Sequence, residues 1–369
     1  MRHVSSPVFV GRESELARLG EAFDDAARGR ATFLLVAGEA GVGKTRFADT
    51  AIALARARGL PVLAGSCLDM GGDAQAFAPL RESLRRLRSE IGPEAFERLV
   101  GTRREGLGML LSGAEAAGPR LETLGVGAES GQARLFDGWL GLLRQLGTAA
   151  PPLFIVEDLH WADRSTFDLL RYLAHNDLEV PFVVLATFRS DELHRTHPLV
   201  PVLVELQRKP SVVRLELRRF ERTETAELIH AIRGPGADAG VIDLIHDRSD
   251  GNAFYVEQLL IAEAAGGVIP DSLREILLAT VGTLQAETQE LLRCASVGGQ
   301  RLSTRVLGRV MDREPADLEA SLREAVDRHL LVPIEDAVEE RFMFRHALVQ
   351  EAIRGEVLPG RRARLHGLF

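Results

Sequence analysis

Thr32-Phe33-Leu34-Leu35-Val36-Ala37-Gly38-Glu39-Ala40-Gly41-Val42-Gly43-Lys44-Thr45 has three parts: an apolar run, a glycine-rich turn and a Lys-Thr pair. A continuous apolar run reads as a strand with both faces buried. Residues from Thr45 to Arg58 then carry a helical pattern. The turn matches G-x-x-x-x-G-K-[ST] between strand and helix, the context in which that motif binds phosphate. Glycines let the loop curl so that its backbone N–H groups converge on phosphate oxygens, and the helix adds its positive end. Lys44 supplies a mobile charge for the outer phosphates of a nucleotide, and Thr45 a hydroxyl for Mg²⁺. The candidate phosphate contacts are therefore Gly38, Glu39, Ala40, Gly41, Val42, Gly43, Lys44 and Thr45, with Arg46 next to them.

Outward from this stretch, Pro61–Ala64, Leu153–Val156 and Phe182–Thr187 are further apolar runs. Ala78–Ser89, Gln132–Leu146 and Ser165–Ala174 read as helices. Such alternation predicts an α/β domain, a parallel sheet covered on both faces in three layers. Residues 101–131, rich in Gly, Ala and Glu, are expected as a loose surface insertion. From Glu221 onward helices dominate: Thr223–Ile232, Ala239–Arg248, Ala253–Ala264, Ser272–Val281, Ala286–Val297, Ser303–Met311 and Ala316–Arg328. Leu330–Ile334 and Arg341–Phe344 read as a hairpin. Helices followed by a short hairpin predict a winged helix-turn-helix. Residues 356–369 open a further helix.

A phosphate loop needs an acid at the end of a second strand. Leu153-Phe154-Ile155-Val156-Glu157-Asp158 ends in two carboxylates. Glu157 is the candidate for the Mg²⁺ water shell, with Thr45, and Asp158 for polarising the attacking water. The roles exchange if the strand ends one residue later. Phe182–Thr187 leads to Arg189, and ligands of open parallel sheets bind at the carboxyl ends of strands. Arg189 is thus a candidate γ-phosphate sensor; the competing reading pairs it with Asp191 or Glu192. Trp161 reads as packing, His160 has no assigned role, and His194 and His197 lack metal-ligand company.

The order of motifs resembles one family. Val10-Gly11-Arg12-Glu13 precedes the loop. Glu157-Asp158-Leu159-His160-Trp161-Ala162-Asp163 and Thr187-Phe188-Arg189-Ser190-Asp191-Glu192-Leu193 come after it. Gly251-Asn252-Ala253-Phe254-Tyr255-Val256-Glu257, Phe344-Arg345-His346-Ala347-Leu348-Val349 and Leu358–His366 complete the set. It resembles the N-terminal ATPase module of large ATP-binding regulators of the LuxR type, in the STAND class of AAA+-related NTPases. The resemblance implies a P-loop domain over 1–212, a helical lid over 213–268, a winged helix over 269–355 and the start of a helical-repeat region over 356–369, working as an ATP/ADP switch with slow Mg²⁺-dependent hydrolysis. It implies Val10, Gly11 and Arg12 beside the adenine and ribose, and Arg189 as sensor. His346 would reach the β-phosphate of a form closed on ADP, and the ATP form would self-associate. Ala253 stands where the family carries a proline against the adenine. That frees φ and loosens base binding. Family members continue into helical repeats and a DNA-binding domain; on the resemblance, Phe369 would fall where the repeats are expected to begin, with neither part among residues 1–369.

Composition narrows the alternatives. The 369 residues are 46% hydrophobic and 27% charged, a globular balance with two or three domains by length. No apolar run is long enough to span a membrane, and no secretory leader pattern opens the chain. Two cysteines, Cys67 and Cys294, make neither a disulfide framework nor a cysteine-rich zinc module. The expected location is cytoplasmic. A net charge of −8 argues against a nucleic-acid coat. Within Ala316–Arg328, the candidate recognition helix, Asp317, Glu319, Glu324 and Asp327 oppose Arg323 and Arg328. Phosphate contacts need the opposite sign. An ATP-loaded winged-helix DNA binder is therefore the second reading, and a non-hydrolysing nucleotide scaffold the third.

Overall fold

The computed structural model describes residues 9–68, 76–101, 104–111, 128–176, 180–194, 196–264, 271–299, 301–334 and 340–369. They form two units, Arg12–Arg218 and a second of residues 219–369 with residues 9–11.

In the first unit the chain runs α1 (Glu13–Ala27), β1 (Thr32–Gly38), α2 (Lys44–Ala57), β2 (Val62–Ser66), α3 (Ala78–Ile91) and α4 (Pro93–Val100). It continues with α5 (Arg104–Leu111), α6 (Ala128–Leu146), β3 (Leu153–Glu157), α7 (Arg164–His175), β4 (Val183–Arg189), α8 (Leu199–Leu206) and β5 (Val212–Leu217). The strands make one parallel sheet in the order β2-β3-β4-β1-β5. This is the expected α/β P-loop architecture. All seven residues of β1 are buried, as its continuous apolar run requires.

Two expectations are corrected. The sheet has a fifth strand, β5, beyond the four apolar runs read from the sequence, and the first unit runs to Arg218. β5 is an edge strand; Arg214 and Glu216 are exposed while Leu215 and Leu217 are buried, so it lacks the all-apolar signature of its neighbours. Part of the stretch expected as a loose insertion is core: Leu107 and Leu110 of α5 are buried in the first unit's main cluster. Glycines bring α5 and α6 close, since a Cβ on Gly106 would stand 3.2 Å from Gly138 Cα. Residues 102–103 and 112–127 of that stretch lie outside the described residues.

The second unit holds α9 (Arg222–Arg233), α10 (Ala239–Ser249), α11 (Ala253–Ala264), α12 (Asp271–Gly282) and α13 (Ala286–Gly298). β6 (Arg301–Ser303), α14 (Thr304–Met311), α15 (Pro315–Asp327), β7 (Leu331–Ile334), β8 (Arg341–Phe344), α16 (Ala347–Glu356) and α17 (Pro359–His366) complete it. β6, β8 and β7 form a small antiparallel sheet beside α13–α15, a winged-helix-like arrangement; β6 adds a strand to the expected hairpin. Residues expected in the lid and in the winged helix share one apolar core, from Phe220 and Ile245 to Leu318 and Ile353. Leu365 of α17 packs with Cys294, Val297 and Val357. No helix among the described residues is long and apolar enough to cross a membrane.

Candidate functional site

The site in the first unit is built at the carboxyl ends of β1, β3 and β4. The phosphate loop leaves β1 at Gly38, whose position admits no side chain: a Cβ there would stand 2.8 Å from Val42 Cγ1 and 3.0 Å from Leu217 O. Gly41 and Gly43 turn with φ of 78° and 105°, the left-handed region that favours glycine. Gly43 then opens α2 without a side-chain cap. The first-turn amides of such a helix are natural donors to an anion.

Lys44 lies back over the loop. Its ammonium donates to Gly38 O at 2.8 Å and to Glu39 O at 2.7 Å, and only 7% of the residue is exposed. Burial pushes this ammonium down to about 8, and Arg189 adds to that, against the attraction of Asp191, Asp158 and Glu192. Arg46 is half-buried in the first turn of α2, its carbonyl accepting the Thr50 hydroxyl at 2.8 Å.

The strand end left open by the sequence is settled: β3 finishes at Glu157, paired with Ser66. Asp158 turns the chain with φ of 54°, directing its amide onto Thr187 Oγ1 of β4 at 3.1 Å. Glu157 is hydrogen-bonded by the Thr45 hydroxyl, and burial raises its carboxyl above the usual range despite that bond. Two oxygen-bearing side chains, both proposed for Mg²⁺ on sequence, thus meet directly. Asp163, in the same motif, serves the fold. Its carboxylate caps α7, accepting Ser165 N at 2.9 Å and Thr166 N at 3.3 Å.

Arg189, the last residue of β4, is ion-paired with Glu192 and lies over the Trp161 ring, Cζ 5.0 Å from its centroid. The competing sequence reading is therefore half right: its partner is Glu192, at the edge of the site. His160, given no role from sequence, sits between them. Its side chain is fully buried, Nδ1 accepts the Arg189 amide at 3.4 Å, and Nε2 lies 3.3 Å from Glu192 Oε2. Burial works to raise the Glu192 carboxyl, but His160 and Arg189 outweigh it and hold it down, at about 2. The Leu-His-Trp triplet after the acid pair carried no local signal of this; only the adjacency of β3 and β4 brings it to Arg189.

The remaining candidates divide between the two units. Arg12 belongs to the first unit, where its buried guanidinium donates to Val42 O at 3.3 Å and to Arg218 O, propping the phosphate loop from behind. Val10 and Gly11 belong to the second unit; Val10 is buried among Phe220 and Leu228, and a Cβ on Gly11 would collide with Glu224 Oε1. Ala253 opens α11 there, next to the buried Asn252. His346 precedes α16 as its N-cap residue without a side-chain cap bond, and its ring lies edge-on to Tyr255, centroids 5.4 Å apart. Among the described residues no group of His, Cys, Asp and Glu forms a ready metal cluster.

Residues 8–186 match the AAA ATPase domain family. The chain is 26% identical to an uncharacterized protein of Rhizobium meliloti (strain 1021), over 97% of its own length and 36% of the relative's; it thus spans about a third of that relative. Among solved structures it is similar to a RuvB variant from Thermotoga maritima, with TM-score 0.42 and 14% identity over 95% of this chain and 97% of that one. AMPPCP-bound DnaA from Aquifex aeolicus gives TM-score 0.43 and 12% identity over 87% and 90%. The fold assignment stands on the strand order and not on these two likenesses. Together, the phosphate loop, the sheet order and the family match identify residues 8–186 as an AAA ATPase domain, a P-loop module that binds nucleotide.

Proposed function

We propose that this chain is the ATP-binding switch module of a regulator of the STAND class, of the LuxR-associated kind, with bound nucleotide as its signal. Two observations carry the nucleotide site: the Lys44 ammonium lies on the loop carbonyls after β1, and the Thr45 hydroxyl is bonded to Glu157 at the end of β3. Their chemistry fits the group: loop amides and Lys44 for the phosphates, and Thr45 with Glu157 as oxygen donors for Mg²⁺. Mg²⁺ would supply charge neutralisation on the phosphate oxygens. Asp158 is then the residue to accept hydrogen bonds from the attacking water, and Arg189 the one to respond to a third phosphate. The regulator assignment draws its support from the order of motifs, from Val10-Gly11-Arg12 through Phe344-Arg345-His346. On that resemblance Val10, Gly11, Arg12, Ala253 and His346 remain proposed nucleotide contacts, and self-association of the ATP form a proposed partner step. The winged-helix DNA-binding reading is disfavoured by α15, where Asp317, Glu319 and Asp327 are exposed.

The test is phosphate release from Mg²⁺-ATP by the full chain and by Asp158→Asn. Slow turnover that the substitution abolishes, with ATP still bound, supports a hydrolysing switch. Binding with equal, negligible turnover in both proteins would make the chain a nucleotide scaffold instead.

A further inference from the structure

The turn after β4 carries two carboxylates to which the nucleotide assignment gives no role. Gly38 and Arg189 are register partners on the adjacent parallel strands β1 and β4, and Ser190 N donates to Gly38 O at 3.2 Å. The residues after Arg189 must therefore run along the phosphate loop. They include a pair of carboxylates, Asp191-Glu192.

Each faces one cation-bearing part of the site. Asp191 Oδ2 lies 3.4 Å from the loop amide Ala40 N, and Asp191 is the strongest attracting charge on Lys44. Its other oxygen, Oδ1, is sealed from solvent with no hydrogen-bond partner among the described residues. Glu192 holds the Arg189 guanidinium and is flanked by the buried His160 ring. A loop amide, the lysine and the arginine are the donors that phosphate oxygens would recruit; here carboxylate oxygens lie on the amide and the arginine, and Asp191 attracts the lysine across the loop. Carboxylate and phosphate are both anionic acceptors, so they cannot share these donors without strong repulsion in a part-buried site. The buried acceptor Oδ1 carries a further cost that swinging out to water would relieve.

We propose that Asp191 and Glu192 act as an internal phosphate mimic that competes with nucleotide: Asp191 for the loop and Lys44, Glu192 for Arg189. The two carboxylates then set different quantities. Asp191 opposes any nucleotide phosphate at the loop, so it governs the affinity for ADP and ATP alike. Glu192 restrains the residue proposed to meet the third phosphate, so it governs the preference for ATP over ADP. The mimic rests on the nucleotide reading above and goes beyond it in assigning a threshold and a selectivity to this turn.

The experiment is calorimetric titration of ADP and of AMPPNP into the full chain, Asp191→Asn and Glu192→Gln. Circular dichroism and melting curves confirm that each variant is folded. Asp191→Asn should tighten both ligands by about tenfold, the scale of one charge-assisted hydrogen bond. Glu192→Gln should tighten AMPPNP by a similar factor and leave ADP within about twofold. A wild-type chain that binds neither ligand while Asp191→Asn binds both also supports the mimic. If the wild type binds and folded variants bind no tighter, the mimic is overturned and the nucleotide site stands. If none of the three proteins binds, the nucleotide reading falls and the mimic with it.

Discussion

The Asp158 amide donates to Thr187 Oγ1 at 3.1 Å, a bond that joins the acidic end of β3 to β4 two residues before Arg189. Thr187 is buried, so its hydroxyl is placed by the sheet and not by solvent. Thr187→Val keeps the volume and removes the acceptor. The unpaired amide should cost about 1–3 kcal/mol of stability. Because Asp158 would lose its fixed position, phosphate release should fall roughly ten- to hundredfold. ADP affinity, which depends on the loop, should stay the same. Steady-state turnover beside ADP titration checks this; unchanged turnover would remove Asp158 from the chemistry.

Lys44 predicts a pH dependence. Its ammonium is depressed to about 8, with Asp191, Asp158, Glu192 and Arg189 as the charges around it. Bound phosphate favours the protonated form, so above about pH 8 binding must take up a proton. Affinity for ADP should be level below that pH and fall above it, by at most about tenfold per pH unit. Titrations in buffers of different ionisation enthalpy would count the proton. An affinity flat from about pH 7 to about pH 10 would contradict the role of Lys44. Asp191→Asn removes an attracting charge, so it should move the fall to lower pH.

Arg189→Ala should bring the ATP and ADP affinities closer together, since only the triphosphate would use the guanidinium. The loss expected for ATP is about tenfold, one charge-assisted contact. Trp161, which stacks on Arg189, gives a second signal. Its fluorescence should change on ATP addition in the wild type and stay constant in the variant. An unaltered affinity ratio would remove Arg189 as the sensor.

Two glycines should respond to alanine with opposite signs. A Cβ on Gly65 of β2 would collide with Pro79 O and stand 2.7 Å from Pro79 C, the backbone of α3. Gly65→Ala should therefore destabilise by about 3 kcal/mol, an overpacking cost. Gly20 lies inside α1, where the nearest group to an added Cβ is the flexible tip of Arg58 at 3.8 Å. Gly20→Ala should stabilise by about 0.5–1 kcal/mol through helix propensity. Chemical denaturation of both variants tests the packing of the first unit.

The buried interior of the sheet was legible because burial on both faces leaves a continuous apolar run, as in Thr32–Ala37 and Leu153–Val156. The edge strand β5 was missed because it alternates exposed Arg214 and Glu216 with buried Leu215 and Leu217, whereas the other edge strand, β2, is buried along Val62–Gly65 and keeps its apolar run. β6, with three residues, is too short to carry a pattern. Within the candidate site, the positions of Lys44 and Thr45 after β1 and of Glu157 at the end of β3 were legible, since the loop and the acid each follow directly on an apolar run. His160 and Asp191 were not, because each acquires its partner through the β1–β4 or β3–β4 adjacency and not through sequence spacing. The hydrogen bonds of Arg12 to Val42 O and Arg218 O were not legible either, since they span 30 and 206 residues of sequence.

The central claim is that the loop from Gly38 to Thr45 binds nucleotide through Lys44. The most direct measurement is equilibrium binding of Mg²⁺-ATP to the purified full chain and to Lys44→Ala, with circular dichroism to establish that both are folded. The wild type should bind saturably. The variant should lose at least about a hundredfold in affinity, the scale of a charged hydrogen-bonding group removed from a phosphate. Equal ATP affinity in two folded proteins would contradict the claim.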